Sequence, residues 1–244
     1  MEKTISVIIA TFNSDAYIGR ALESVKNSSY KFVDCIVVDG KSKDKTIDIV
    51  RSFQGKINLK FISEKDEGIF DALNKGVKLS NSDYIYVLGS DDELLPNGLA
   101  DLIYNDDEED IIYGKVIERN EKGQFYHPKA KSYKMLSCNM PFSHQGMIIK
   151  RDLFLKLNGF NITYKLSADF DLVQRAYLKG AAFKYVDCNV AYFSTSGFSR
   201  QGIFSVDKEV RKICIANGVY KFISFRHIYY MFRKLVKNIL LRFI

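Results

Sequence analysis

Acidic side chains repeatedly close hydrophobic runs in the N-terminal half of this chain. Asp39 ends Phe32–Asp39, Glu64-Lys65-Asp66 follows Leu59–Ser63, and Ser90-Asp91-Asp92 follows Tyr84–Leu88. The first such run, Ile5–Ala10, leads instead into Thr11-Phe12-Asn13. Carboxylates gathered at one edge repel one another unless a cation or hydrogen-bond donors neutralise them. Mg2+ or Mn2+, which prefer carboxylate and phosphate oxygens, meet that need most simply. Adjacent acids, as in Gly89-Ser90-Asp91-Asp92, can set one carboxylate on a metal and the other on a ribose hydroxyl or the metal's water shell. The same pair also suits a helix entry before Pro96, where the helix dipole favours negative charge. Asp169 likewise has two readings: a proton acceptor for a substrate hydroxyl, or a cap on the helix it begins. His144, in Pro141-Phe142-Ser143-His144-Gln145-Gly146, is either a structural histidine or a contact to acceptor or diphosphate. Arg200, in Gly197-Phe198-Ser199-Arg200, belongs either to a loop that closes over a phosphate or to a plain surface turn.

The elements that would position these residues are written in the hydrophobic period. Ile5–Ala10 is unbroken and rich in β-branched residues, as suits a strand buried on both faces. Phe32–Asp39, Leu59–Ser63 and Tyr84–Leu88 read as further strands. Between them, Asp15–Lys26 carries Ile18, Ala21, Leu22 and Val25 at helical spacing. Thr46–Phe53 predicts a short helix with Asp44 at its N-cap, and Ile69–Leu79 a third helix. Strand and helix alternating at this spacing predict βαβ units and a parallel sheet. In open sheets of this kind ligands bind beyond the carboxyl ends of the strands, where these acids fall. Farther along, the pattern predicts a helix from Pro96 to about Tyr104, a solvated acidic loop at Asp106–Asp110, and strands at Ile111–Glu118 and Gly146–Lys150. A helix over Arg151–Leu157 stops at Asn158-Gly159, and another over Ser167–Lys179 closes at Gly180. Leu172, Val173 and Ala176 anchor the latter, which sets Asp169 and Asp171 at different angles.

Composition bounds the alternatives. A chain of 244 residues, 47% hydrophobic and 27% charged, is ordinary for a soluble globular protein with a proper core. No charge-free apolar run reaches the ~18 residues of a spanning helix, and Ile5–Ala10 is too short for the core of a secretory leader. Cys35, Cys138, Cys188 and Cys214 lack metal-site spacing and read as free thiols in a reducing cytoplasm. The net charge is +7, yet from Arg200 onward Lys and Arg exceed the two acids, Asp207 and Glu209, by eight. The remainder is therefore almost neutral, which argues against a fold that tracks a polyanion, and no nucleic-acid partner is expected. A dehydrogenase needs glycines between first strand and first helix; Ala10-Thr11-Phe12-Asn13-Ser14-Asp15 has none. No Walker-type lysine loop occurs, and the glycine-rich basic loop of a sugar nucleotidyltransferase is missing too.

Five segments in order carry a family resemblance: Ser6–Asn13 (SVIIATFN), Val37–Thr46 (VVDGKSKDKT), Ser63–Gly76 (SEKDEGIFDALNKG), Tyr84–Pro96 (YIYVLGSDDELLP) and Ser167–Arg175 (SADFDLVQR). Over roughly the first 200 residues the chain resembles the inverting family-2 glycosyltransferases of the GT-A fold, the class that assembles bacterial O-antigen, capsule and exopolysaccharide. The resemblance implies an α/β fold with a mostly parallel central sheet flanked by helices, a nucleotide-sugar half (1–95) and an acceptor half (96–209). It implies a nucleotide-diphosphate sugar donor, UDP favoured over GDP, and a glycan or lipid-linked acceptor. Thr11 and Phe12 would line the base pocket, Asn13 would join them in binding the nucleotide sugar, Asp39 would bond the base or ribose, and Asp66, Gly68 and Asp71 would flank the nucleotide. Asp91 and Asp92 would correspond to the metal site, Asp91 also facing the donor, and Asp169 to the catalytic carboxylate. Gly40 stands where many relatives have a second acid, Gly89 replaces the first acid of Asp-x-Asp, and Ala168 replaces the acid before Asp169. These departures also admit a catalytically impaired relative that only binds glycan or nucleotide. The processive-synthase motif is absent, which implies one sugar added at a time.

The stretch 210–244 reads as a separate tail with eight Lys/Arg and no acid. Phe222, Phe225, Ile228, Tyr229, Phe232, Leu235, Val236, Ile239, Leu240 and Phe243 share a helical face. Such a basic amphipathic helix lies on an anionic leaflet; a dimerisation helix and a nucleic-acid stripe are the alternatives. The membrane reading places the protein in the cytoplasm, peripheral on the inner face of the plasma membrane.

Overall fold

The computed structural model describes residues 2–104, 107–137, 139–195 and 203–219. Four parallel strands form its first half: β1 (Ile5–Thr11), β2 (Val33–Asp39), β3 (Leu59–Ser63) and β4 (Tyr84–Val87). Their order is β3-β2-β1-β4, and Thr11 lies level with Asp39, and Asp39 with Ser63. The connections run through α1 (Ile18–Lys26), α2 (Thr46–Arg51) and α3 (Ile69–Leu79).

The second half extends the same sheet in mixed direction. β5 (Glu93–Leu94) and α4 (Gly98–Ile103) lead to β6 (Ile111–Arg119), whose hairpin partner is the two-residue β7 (Phe125–Tyr126). β8 (Met147–Lys150) sits between β4 and β6, antiparallel to both, so β6 regains the direction of β4. α5 (Arg151–Lys156) and α6 (Ala168–Leu178) then precede β9 (Phe183–Ser194), which runs parallel to β6 and pairs antiparallel with β5. The carboxyl ends of β1, β2, β3, β4, β6 and β9 thus face one edge. The parallel arrangement that the sequence implies holds for the first four strands; the later ones alternate because β8 returns between them.

Side chains alternate across the sheet and build a core on each face. Val7 and Ile9 belong to a cluster with residues of α1, α2 and α4, while Ile8 belongs to one with residues of α3, α5, α6 and α7 (Ile203–Ala216). Ile18, Ala21, Leu22 and Val25 of α1 are all buried, and each large apolar side chain so buried contributes about 1.5–3 kcal/mol. Ile213 and Cys214 are fully buried against the α6 side, with Val219 packed beside them. Helix α7 therefore crosses the 209/210 boundary expected from charge alone. Among the described residues no helix is long and apolar enough to cross a membrane. Arg200, Cys138 and residues 220–244, hence most of the basic tail, lie outside the described residues.

Candidate active site

Two cavities open along the carboxyl edge. The first, about 600 Å³, is lined by Thr11, Phe12, Asn13, Asp66, Gly68, Asp71 and Asp91, so seven of the residues singled out above meet there. The loops after β1 and β2 are laced together by side chains. Asn13, held at φ 48, accepts from the Lys43 amide at 2.9 Å and donates its own amide to Ser42 at 2.8 Å. Asp44 accepts from the amides of Thr46 at 3.0 Å and Asp15 at 3.1 Å and so ties both loops, but the N-cap of α2 is Lys45 rather than the expected Asp44, which stands one residue outside the helix. The exposed Phe12 ring is left on the cavity wall.

Asp39 does not reach this cavity. It is fully buried, and its carboxylate accepts bonds from the Ser63 hydroxyl at 2.6 Å, the Lys41 and Ser42 amides at 3.1 Å, and the Ser42 hydroxyl. The sequence placed it on the base or ribose; its oxygens are instead occupied in shaping the loop. Gly40 has a steric reason: a Cβ there would lie 2.6 Å from an Asp66 carboxylate oxygen. Asp66 thus fills the space that an acid at position 40 would need.

The acid pair after β4 divides its work. Asp91 lines the first cavity, whereas Asp92 is 1% exposed, lines neither cavity, and accepts the Ser194 amide of β9 at 2.7 Å. Burial, reinforced by the Asp91 charge, pushes the Asp92 carboxyl up to about 7. Burial also raises Asp91, against a hydrogen bond from Ser194 and the charges of Arg119 and Arg20. Both arginines pair with Glu93, at 2.8 and 3.7 Å. A Cβ on Gly89 would stand 2.4 Å from an Asp92 oxygen and 3.1 Å from an Asp91 oxygen, so the two carboxylates fold over the glycine that replaces the first acid of the motif. Two hard-oxygen donors, both reluctant to ionise and in no ion pair among the described residues, fit a divalent cation in charge and chemistry. They make two acids rather than a complete ligand set: among the described residues no group of three or more His, Cys, Asp or Glu is disposed around a metal.

A pH dependence follows. The folded Asp92 carboxyl titrates near 7 against an ordinary 3.8, so the folded state holds an extra proton between those values. Its contribution to stability is full below about pH 4 and is lost as pH rises through about 7. In chelator, Tm should fall as pH rises from 5 to 8. Asp92→Asn, which keeps an acceptor for the Ser194 amide, should flatten that slope and exceed the parent Tm by several degrees at pH 8. Parallel Tm–pH curves for the two proteins would remove this role for Asp92.

The second cavity, about 390 Å³, holds His144 and Asp169. Asp169 stands in the first turn of α6, and His144 Nδ1 lies 3.6 Å from its Oδ2, an ion-pair distance rather than a hydrogen bond. Asp171 points the opposite way, as two positions on a helix must. It is 2% exposed and paired with Arg175 at 2.7 Å. Four of the six buried side-chain polar atoms without a hydrogen-bond partner among the described residues belong to residues of the cavity walls: Asn139 Oδ1, His144 Nε2 and Ser167 Oγ in the second, Thr11 Oγ1 in the first; the other two are Ser28 Oγ and Arg151 Nε. Buried polar groups are almost always paired, so four orphans on two cavity walls mark surfaces that a polar ligand completes. The cavities share Ala10, Ile69, Phe70, Gly89 and Lys165, so they form one cleft. Lys165 was not singled out by sequence, because nothing local separates it from the other lysines.

The glycosyl transferase family 2 model matches residues 6–169. The chain belongs to that family. A PGL/p-HBAD biosynthesis glycosyltransferase of Mycobacterium tuberculosis is 30% identical over 214 residues, spanning 85% of this chain and 82% of its own. Among solved structures, S. aureus TarS in complex with UDP-GlcNAc is similar with a TM-score of 0.71 at 21% identity, covering 88% of this chain and 66% of TarS 1-349. A mannosyltransferase from Pyrobaculum calidifontis in complex with GDP-Man and Mn2+ follows with 0.66 at 17% identity, over 89% of this chain and 63% of that one. The chain thus spans slightly less than two-thirds of these structural neighbours. The glycosyltransferase has the GT-A fold that its family implies, and its assignment is to glycan biosynthesis.

Proposed function

We propose that this glycosyltransferase moves one sugar at a time from a nucleotide-diphosphate sugar in the first cavity to an acceptor hydroxyl in the second, with inversion. The observation that carries the reading is the shared wall between the cavities, with Asp91 lining one and Asp169 the other. Asp169 takes the proton of the acceptor hydroxyl as its oxygen forms the new bond at the anomeric carbon. The bond from that carbon to the diphosphate oxygen breaks on the opposite side, and the nucleoside diphosphate departs with the electron pair. Asp91, backed by Asp92, would hold a Mg2+ or Mn2+ ion. When bound, that ion supplies countercharge for the diphosphate. Thr11, Phe12 and Asn13 frame the nucleoside, and the loop from Asp66 through Gly68 to Asp71 flanks it. His144 and the unpaired Asn139 and Ser167 atoms offer hydrogen bonds to acceptor hydroxyls.

Relatives support the substrate class. TarS was solved with UDP-GlcNAc and with UDP, which favours a UDP-sugar over a GDP-sugar here. A Methanococcus voltae relative is named for a dolichyl-phosphate-linked acceptor, and a mycobacterial one for PGL biosynthesis. A lipid-linked glycan of surface polysaccharide synthesis, met by a peripheral enzyme at the cytoplasmic face of the membrane, is consistent with those names. Thermal stabilisation tests the donor site, since a ligand that binds the folded state raises Tm. UDP or GDP with Mn2+ should stabilise the parent, and chelator or Asp91→Asn should remove the effect. Equal stabilisation in excess chelator would contradict the metal role.

The tail carries its own test. About 1 kcal/mol per basic residue near an anionic surface, plus aromatic burial, is ample for reversible adsorption. Truncation after Val219 leaves the described core intact. It should release the protein from phosphatidylserine vesicles while activity on a short soluble acceptor survives. An intact chain that ignores such vesicles would overturn the membrane assignment.

A further inference from the structure

Among the described residues Lys165 is the only lysine or arginine that lines either cavity, and it lines both. The first cavity otherwise presents Asp66, Glu67, Asp71 and Asp91, a wall of acids facing a ligand that would bring further negative charge. Lys165 is exposed, its ammonium donates to the Glu67 carbonyl at 3.1 Å, and it pairs with no carboxylate among the described residues. Its charge is therefore uncommitted, at the seam where one cavity passes into the other.

The backbone beneath it is fixed with unusual strength. Glu209 of α7 accepts three consecutive amides, from Lys165 at 2.8 Å, Leu166 at 2.8 Å and Ser167 at 2.7 Å. Charge-assisted bonds of this kind are about twice as strong as neutral ones. Ser167 is the N-cap residue of α6, two positions before Asp169. Val206 and Val210, on either side of Glu209 along α7, line the second cavity. One carboxylate thus anchors both the lysine at the seam and the helix turn that carries Asp169.

We propose that Lys165 binds the sugar-bearing phosphate of the nucleoside diphosphate at the seam, and that Glu209 is the positioning residue that holds it there. The inference rests on the reading of the first cavity as the donor site. The phosphate next to the transferred sugar must lie toward Asp169, and the seam is the stretch of the first cavity that the acceptor cavity shares. Leaving-group charge then meets an ammonium ion in addition to whatever Asp91 holds. A nucleoside monophosphate has no phosphate at that position, so Lys165 contributes to UDP or GDP binding and little to UMP or GMP.

Titration of UDP, UMP, GDP and GMP against the parent, Lys165→Met, Lys165→Arg and Glu209→Ala, in Mn2+, tests both parts. The parent should prefer the diphosphate over the monophosphate of its base. Lys165→Met should weaken the diphosphate about ten- to a hundredfold, the value of a hydrogen bond to a charged group, and leave the monophosphate within about twofold. Lys165→Arg should restore most of the preference. Glu209→Ala, measured well below its Tm, should reduce the same preference. An undiminished preference in Lys165→Met would overturn the phosphate role. A Glu209→Ala protein that loses Tm alone and keeps the preference would overturn the positioning role. A parent that binds none of the nucleotides would overturn the donor reading itself, and this inference with it.

Discussion

Replacing Asp169 by asparagine should lower kcat by about 10²–10⁴-fold, the usual value of a positioned general base, while nucleoside diphosphate affinity and Tm stay near the parent's. Asparagine keeps the size and one acceptor of the aspartate but cannot take a proton. Asp169 lines the second cavity and not the first, so contacts to a donor held in the first should survive the change. Steady-state rates paired with diphosphate titration separate the outcomes. If donor affinity collapses together with kcat, Asp169 belongs to the donor site or the scaffold, and the base lies elsewhere. A rate equal to the parent's would show that Asp169 is not the base.

Two positions along, Asp171→Ala should do the reverse. Its carboxylate pairs with the Arg175 guanidinium and accepts the Asn217 amide at 3.2 Å, while Arg175 also donates to the carbonyls of Gly159 at 2.8 Å and Leu157. Alanine strands that guanidinium in a largely buried setting, a loss of about 3–5 kcal/mol. For a domain of this size Tm should fall by about 10 °C. Protein kept well below the new Tm should still bind nucleotide. A Tm within a degree or two of the parent would show that Arg175 finds another partner and that this pair does not fix α6 to the 157–160 turn. Acids two positions apart on one helix with opposite phenotypes, one in rate and one in stability, would be difficult to reconcile with any account that makes both of them structural.

The sequence disclosed most where a single period dominates. β1, β2, β3 and β4 are apolar runs bounded by polar loops, and α1 and α3 carry clean apolar stripes, so their positions follow from pattern alone. β9 stayed hidden because Lys184, Asp187 and Asn189 interrupt its apolar residues; its pairing with β6 contains register shifts, so neither alternation nor a continuous run survives. β5 is two residues long, below the reach of any periodicity, yet it and β9 bring the Ser194 amide to Asp92. The candidate site followed the same division. Residues at strand ends, such as Thr11 and Asp91, were legible from topology. The burial of Asp39 and Asp92 was not, because a serine hydroxyl or a backbone amide from a distant strand leaves no mark beside the acid it satisfies. Glu209 was the least legible: in sequence it sits among basic residues at the very end of the acceptor half, and only the packing of α7 reveals three amides pointing at it.

The most direct test of the account is where a nucleotide and its metal bind. Crystals grown with Mn2+ and UDP or GDP, measured at a wavelength where manganese scatters anomalously, locate both at once. The account predicts an anomalous peak within coordination distance of Asp91, a base against Phe12 and Thr11, and the terminal phosphate at the seam shared with the Asp169 cavity. A peak remote from Asp91, or a nucleotide lodged outside the first cavity, would contradict it.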